Sequence, residues 1–225
     1  MKLNKEQLQE IEGYLTKKGV KYIDIRFEIL DHISTDIENL MEIISFEEAF
    51  EKVKLKWNKN FVNRSSFWLG ITNSGPRIFI DKCIRIYKPL WFKSLFLIVV
   101  FVTVFYSVNN ILDYSLVGYE NYVSLIISIG FAFYIGLIIF WYIRMKMKKA
   151  NTTYSYLYYK QIMPNLFSVL ILNPYMHNSY ITREHKFSFI MFTGLFIFFL
   201  TALGANYFYK KHSETVSNYK NYLLK

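Results

Sequence analysis

Glu28, His32 and Asp36 recur at intervals of four, a spacing that lines three metal-ligating side-chain types along one side of a helix, about 5–6 Å apart from turn to turn. A divalent cation could in principle be held by such a row. Asp31 and Glu38 add negative charge beside it, and no second helix supplies a His or Cys, so the row reads as a solvated acidic face. Neither a metal nor a cofactor is expected. Glu28, Asp31, His32 and Glu38 are instead the candidate face for a protein partner.

The other dense polar group is His177, Tyr180, Arg183, Glu184 and His185. It would suit a membrane enzyme acting on lipid, but its spacing sets no nucleophile beside a base, and Arg-Glu-His in a loop is usually solvated. No catalytic residue is expected from it. The single cysteine, Cys83, excludes an internal disulfide and any multi-cysteine metal site.

These residues hang on elements of two kinds. Three uncharged apolar runs, Ser94 to Leu112, Asn121 to Ile143 and Phe187 to Tyr209, each match the length a helix needs to cross a hydrocarbon layer of about 30 Å. Charge divides the chain at the same place. Met1 to Trp57 carries nine Lys and Arg against twelve Asp and Glu, whereas the remainder carries eighteen against five. The basic residues cluster beside apolar runs and not along a soluble face, so the net charge of +10 is no nucleic-acid footprint. The N-terminus, Met-Lys-Leu-Asn-Lys, leads into an amphipathic pattern with no signal-peptide core, so no cleavable signal is expected.

In the first sixty residues, Asn4 stands three before Gln7, Leu8, Ile11 and Leu15 follow at helical spacing, and Gly19 closes the pattern, which predicts a capped helix of about fourteen residues. Ile25, Ile29, Ile33, Ile37, Leu40, Met41 and Ile44 form a second stripe over about 22–43. Ser45 and Glu48 form a capping box, with Ile44 and Ala49 as a hydrophobic staple, for a third helix over about 46–57. Three helices in so few residues make a marginal core that gains from a partner or from self-association.

Tyr14-Leu15, the run from Asp24 to Ile33, and Ser45-Phe46-Glu47-Glu48-Ala49-Phe50 with Val53 together resemble the helical HAAS-type domain. In bacteria such domains precede membrane segments and accompany PadR-like transcriptional regulators. The resemblance covers about a quarter of the chain and implies a cytosolic signalling or protein-interaction role.

From Asn58 to Pro89 the periodicity fades, and Ser65-Ser66 and Asn73-Ser74-Gly75-Pro76 mark turns. Residues 77–88 place Ile80, Cys83, Ile84 and Tyr87 at helical spacing, with Arg77, Lys82, Arg85 and Lys88 among them, a composition suited to an interfacial helix whose cations meet anionic headgroups. The alternative is an N-terminal extension of the first span.

Five cations precede that span, none lies between Asp113 and Glu120, and five lie between Arg144 and Lys160, so the positive-inside rule sets the N-terminal unit and the 144–160 loop in the cytoplasm. The segment 161–182 is uncharged but carries Pro164, Asn173, Pro174 and His177, and fits either a span or a re-entrant or surface helix. Lys210, Lys211, Lys220 and Lys225 mark a basic tail. Only an even number of spans returns that tail to the cytoplasm, which favours four.

The expected architecture is all-α. It has a cytosolic three-helix domain at 1–60, a linker with a candidate interfacial helix at 61–89, a bundle at 90–210 with spans near 91–112, 120–143, 160–178 and 187–209, and a tail at 211–225. The expected function is a multi-pass protein of the bacterial inner membrane whose helical module binds a cytosolic or membrane protein. The alternatives are a lipid-modifying enzyme or a small transporter. Polar side chains in mid-span, which a transporter needs, are scarce: Asn109, Asn110 and Asn206 lie near span ends. Gly130, Gly136, Gly194 and Gly204 read as helix-packing positions.

Overall fold

A computed structural model describes residues 2–111, 120–168 and 189–223. The expected all-α class holds. Apart from one two-stranded hairpin the described chain is helical, and among the described residues three helices are long and apolar enough to cross a membrane, Arg77–Val104, Ile129–Met147 and Phe192–Tyr219.

The chain divides into two compact units. The first comprises Met1–Tyr87, Ala150–Tyr156 and His212–Lys225, and the second comprises Lys88–Lys149 and Leu157–Lys211.

In the first unit, helix α1 (Lys5–Lys17) starts where Asn4 and Gln7 exchange side-chain to backbone hydrogen bonds of 2.9 Å each. It ends at Gly19, whose φ of +77° lets the Val20 N–H reach back to the Leu15 carbonyl at 3.1 Å. Helix α2 (Ile23–Leu40) buries Ile25, Ile29, Ile33 and Ile37, one per turn. Helix α3 (Phe46–Phe61) is capped by Ser45, which accepts from the Glu48 N–H at 3.3 Å. It runs past Trp57, where it was expected to stop, because Phe61 falls four residues further on the same side and sets its ring edge-on to Tyr14 at 5.7 Å.

The linker expected over 61–89 is instead a hairpin followed by the first turns of a long helix. Strands β1 (Asn63–Ser66) and β2 (Gly70–Pro76) pair antiparallel, with a register shift between Ser65 and Ser66. The polar turn-forming residues read as breaks thus pair through their backbones, a tertiary outcome that side-chain propensity does not report. The Arg77 N–H bonds the Val62 carbonyl at 2.9 Å and opens helix α4 (Arg77–Ile111), which spans about 52 Å at 1.5 Å per residue. Residues 77–88 continue into the apolar run without a break, and Ile80, Cys83 and Tyr87 are buried.

The second unit is built from the rest of α4, helix α5 (Glu120–Met147), a π-helical turn Tyr158–Ile162 that continues helix α6 (Thr153–Leu157) and passes into helix over 163–168, and most of helix α7 (Phe189–Leu223). Ile98 and Leu195 bury against Val102, Phe196 and Phe199. Trp91 meets Phe196 edge-on at 4.9 Å, and Trp141 stacks on Tyr209 at 5.8 Å. The span expected at 160–178 is described only as far as 168; its remainder lies outside the described residues.

Candidate functional site

The first unit holds the polar chemistry. Helix α6 begins at Thr152, whose hydroxyl accepts from the Ser155 N–H at 3.0 Å while the Ser155 hydroxyl accepts from the Thr152 N–H at 2.9 Å. This reciprocal pair is a capping box with serine in place of the usual glutamate. Asp24 closes the same helix start from α2, accepting from the Thr153 N–H at 2.9 Å, where a carboxylate meets the positive end of the peptide dipoles. The Asn151 carbonyl in turn accepts from the Ile23 N–H at 2.9 Å. Two helix N-termini therefore satisfy one another's free donors.

Two further groups complete the cluster. Lys82 Nζ lies 3.3 Å from Asp24 Oδ2 and 2.7 Å from Glu28 Oε2. The Asp24 side chain keeps only 9 % of its exposure, so its carboxylate depends on the Lys82 cation. His212 Nδ1 lies 2.9 Å from the Thr152 hydroxyl, and Thr152, Ser155 and His212 are all buried.

Histidine beside two hydroxyls has the composition of a nucleophilic centre, but the geometry differs. Ser155 donates to the Thr152 carbonyl at 2.8 Å and not to the imidazole, and attack on a substrate requires an accessible oxygen. The arrangement holds 150–156 in place. Beside it, Tyr22 stacks on Phe79 at 4.3 Å and Tyr156 packs edge-on to both rings. Burial pushes the Tyr22 phenol up, and burial with the neighbouring Cys83 carries Tyr156 up to about 12, so both stay neutral.

The residues of the expected acidic face all lie on α2 and differ in their neighbours. Glu28 is drawn to Lys82, and Glu38 accepts from the Leu3 N–H at 3.0 Å. His32 stacks on Trp57 at 6.4 Å, and Asp31 and His32 are exposed. Asp36, the third member of the row spaced by four, is bound by Lys56 Nζ at 2.8 Å and by Trp57 Nε1 at 2.9 Å. Among the described residues no group of three or more His, Cys, Asp and Glu is placed to hold a metal ion. Of the expected headgroup cations, Lys82 is engaged as above and Arg77 pairs with Asp81 at 3.5 Å, while Arg85 and Lys88 are exposed. His177, Tyr180, Arg183, Glu184 and His185 lie outside the described residues.

What the periodicity of α2 does not disclose is a second apolar side. Phe27 and Leu30, with Leu8 and Ile23, line a groove of about 490 Å³ that Tyr219 of α7 closes with its ring 5.1 Å from Phe27. Asp31, Ser34, Thr215 and Asn218 supply its polar atoms, and the Ser34 hydroxyl is buried with no hydrogen-bond partner among the described residues. The signal in the sequence was Phe27-Leu30-Ser34, spaced three and four apart beside the isoleucine stripe.

In the second unit, Tyr134 donates to the Thr201 hydroxyl at 2.5 Å and Tyr158 donates to the Ile138 carbonyl at 2.7 Å. Gly204 is a packing glycine, since a Cβ there would fall 2.5 Å from Ile162 Cδ1, whereas among the described residues Gly130 and Gly136 face nothing within 4 Å. Comparison of the chain with protein-family models, curated proteins and solved structures finds no match.

Proposed function

We propose that the chain is a membrane-anchored, non-enzymatic interaction module of the bacterial inner membrane. Its N-terminal unit and tail are cytoplasmic, and it binds a protein segment in the groove between α1, α2 and the end of α7. The observation that carries this reading is the groove itself: about 490 Å³ of largely apolar lining with the Asp31 carboxylate in its wall. Asp31 has no ion-pair partner among the described residues, whereas Glu28, Asp36 and Asp24 each have one. A groove of that size with few polar groups suits the apolar side chains of one amphipathic segment, and the carboxylate selects a lysine or arginine in it. The resemblance to HAAS-type domains supports the same role. Cytoplasmic placement follows from the cations that flank the apolar helices.

The test places a photo-crosslinking residue at Leu30 in the groove or at Leu55, which is exposed on α3, in the full chain within its membranes. A discrete protein adduct should form from position 30 and not from 55, with a basic amphipathic segment at the crosslink, and Asp31→Lys should abolish it. Equal adducts from both positions, or one indifferent to Asp31→Lys, would place the contact elsewhere. Orientation is tested separately, with single cysteines at Ser115 and Ser217 in a Cys83→Ser background. A membrane-impermeant reagent applied to intact cells should label the first and spare the second.

A further inference from the structure

We propose that the tip of the β1–β2 hairpin is a lipid-touching element, which inserts Phe67 and Ile71 into the headgroup region of an anionic bilayer. The tip is a single 3₁₀ turn, Phe67–Leu69, fixed by Ser66, which accepts from the Trp68 N–H at 3.3 Å, and by Gly70 at a φ of +87°. That geometry tucks Leu69 in at 1 % exposure and turns Phe67 and Ile71 out at 77 % and 74 %, with Val62 at 60 % at the base of β1. A folded unit that buries Ile25, Ile29, Ile33 and Ile37 of α2 leaves these bulky side chains uncovered at the hairpin tip. Isolated exposed apolar residues need no explanation, but an aromatic and a β-branched residue on one turn form a wedge.

Charge selects the surface that such a wedge meets. Residues 62–76 contain no acidic side chain. Arg64 and Arg77, at the base of the hairpin, share the single carboxylate of Asp81 at 2.5 and 3.5 Å, so one positive charge remains uncompensated there. Apolar tip and cationic base together match acyl chains beneath anionic headgroups. The hairpin also leads through Pro76 directly into Arg77–Val104, a helix long and apolar enough to span. The inference rests on the membrane placement proposed above.

The experiment uses the full chain in nanodiscs of phosphatidylcholine, alone or mixed with phosphatidylglycerol. An environment-sensitive fluorophore is attached to a single cysteine at position 67, 71 or 48 in a Cys83→Ala background, position 48 being an exposed site on α3. At 67 and 71 the emission should be blue-shifted and quenched by brominated acyl chains, with iodide quenching about threefold weaker than at 48. Quenching by bromolipid should rise with phosphatidylglycerol and fall in Arg64→Gln/Arg77→Gln. Iodide access at 67 and 71 equal to that at 48 would overturn the proposal. So would protection from both quenchers, which means a protein covers the tip, or equal bromolipid quenching in the two lipid compositions. Failure of the chain to enter nanodiscs at all would overturn the membrane placement and this inference together.

Discussion

The two units solve opposite solvent problems with the same residue types. In the first, Ile11, Leu15, Ile29, Ile33 and Ile37 are at most 1 % exposed, and Glu6, Glu10, Glu12 and Glu47 face out. In the second, Phe96, Phe133, Ile143 and Phe167 stand 67, 69, 50 and 68 % exposed, while the Tyr134–Thr201 hydrogen bond is turned inward. A solvent as apolar as the side chains makes the second arrangement favourable, in keeping with its helices being long and apolar enough to cross a membrane. An isoleucine therefore carries a different meaning in each: in α2 it is cohesion, in α5 it is solubility in lipid.

The largest test of that contrast is one substitution in each unit. Phe50 is 2 % exposed and packs edge-on to Tyr14 at 5.8 Å, so Phe50→Ala should cost about 3–5 kcal/mol. Hydrogen exchange of residues 23–61 in bilayer-embedded protein should then collapse toward unprotected rates, given the few kcal/mol a small unit holds. Phe96→Ala removes a ring of equal size from the lipid-facing side, where tails replace the contacts it made, and should change stability by less than about 1 kcal/mol. Comparable losses from both would break the contrast.

Charge sharpens it next. Lys82→Ala leaves the Asp24 carboxylate buried and without its cation, at a cost of about 3 kcal/mol in the first unit. The loss should be recovered in large part by Asp24→Asn in the double variant, because an amide can still accept from the Thr153 N–H. Chemical denaturation of the full chain in mixed micelles measures the cycle, and an additive double variant would show that the ion pair has no energetic coupling.

The elements that could be read from sequence are those whose cause is local. Asn4 with Gln7, Ser45 with the Glu48 N–H, and Gly19 set helix ends within a few residues, and all three ends fall where the residue types put them. Ile25, Ile29, Ile33 and Ile37 state their period in the chain. The missed features are tertiary. Thr153 meets Asp24 across 129 positions, and the hairpin is a pairing of backbones whose Asn, Ser and Gly side chains advertise turns. The groove was hidden because Phe27 and Leu30 form a second stripe beside a stronger one. Segment 150–156 follows a run of cations whose charge is the stronger pattern, and its partner Asp24 is remote in the chain.

Within the second unit, the glycines test where helices actually meet. Gly204→Ala thrusts a methyl group against the tip of Ile162, a side chain that can give way only in part, and should cost about 1–3 kcal/mol. Gly130→Ala and Gly136→Ala meet open space and should be neutral or slightly stabilising through helix propensity. Unfolding in mixed micelles distinguishes them, and a large effect at Gly136 would mean that another helix or another copy approaches there.

The smallest expected effect is a pH dependence at Asp36. Burial acts to raise its carboxyl pKa, but hydrogen bonds from Lys56 and Trp57, with the Lys56 charge, outweigh it and hold the group below the usual carboxylate range. A carboxyl depressed in the folded state contributes stability that is fully present above its unfolded value of about 3.9 and is lost as pH falls through the lower folded value. The Lys56 side chain is 64 % exposed and that of Asp36 27 %, so solvent and salt screen the pair and the contribution should be below about 1 kcal/mol. Asp36→Asn should flatten that part of the acid limb of the stability curve and leave the neutral region nearly unchanged, since the amide oxygen can still accept from Trp57. The same titration on Phe96→Ala should retain the wild-type acid limb, because nothing on the lipid-facing side of the second unit takes part in it.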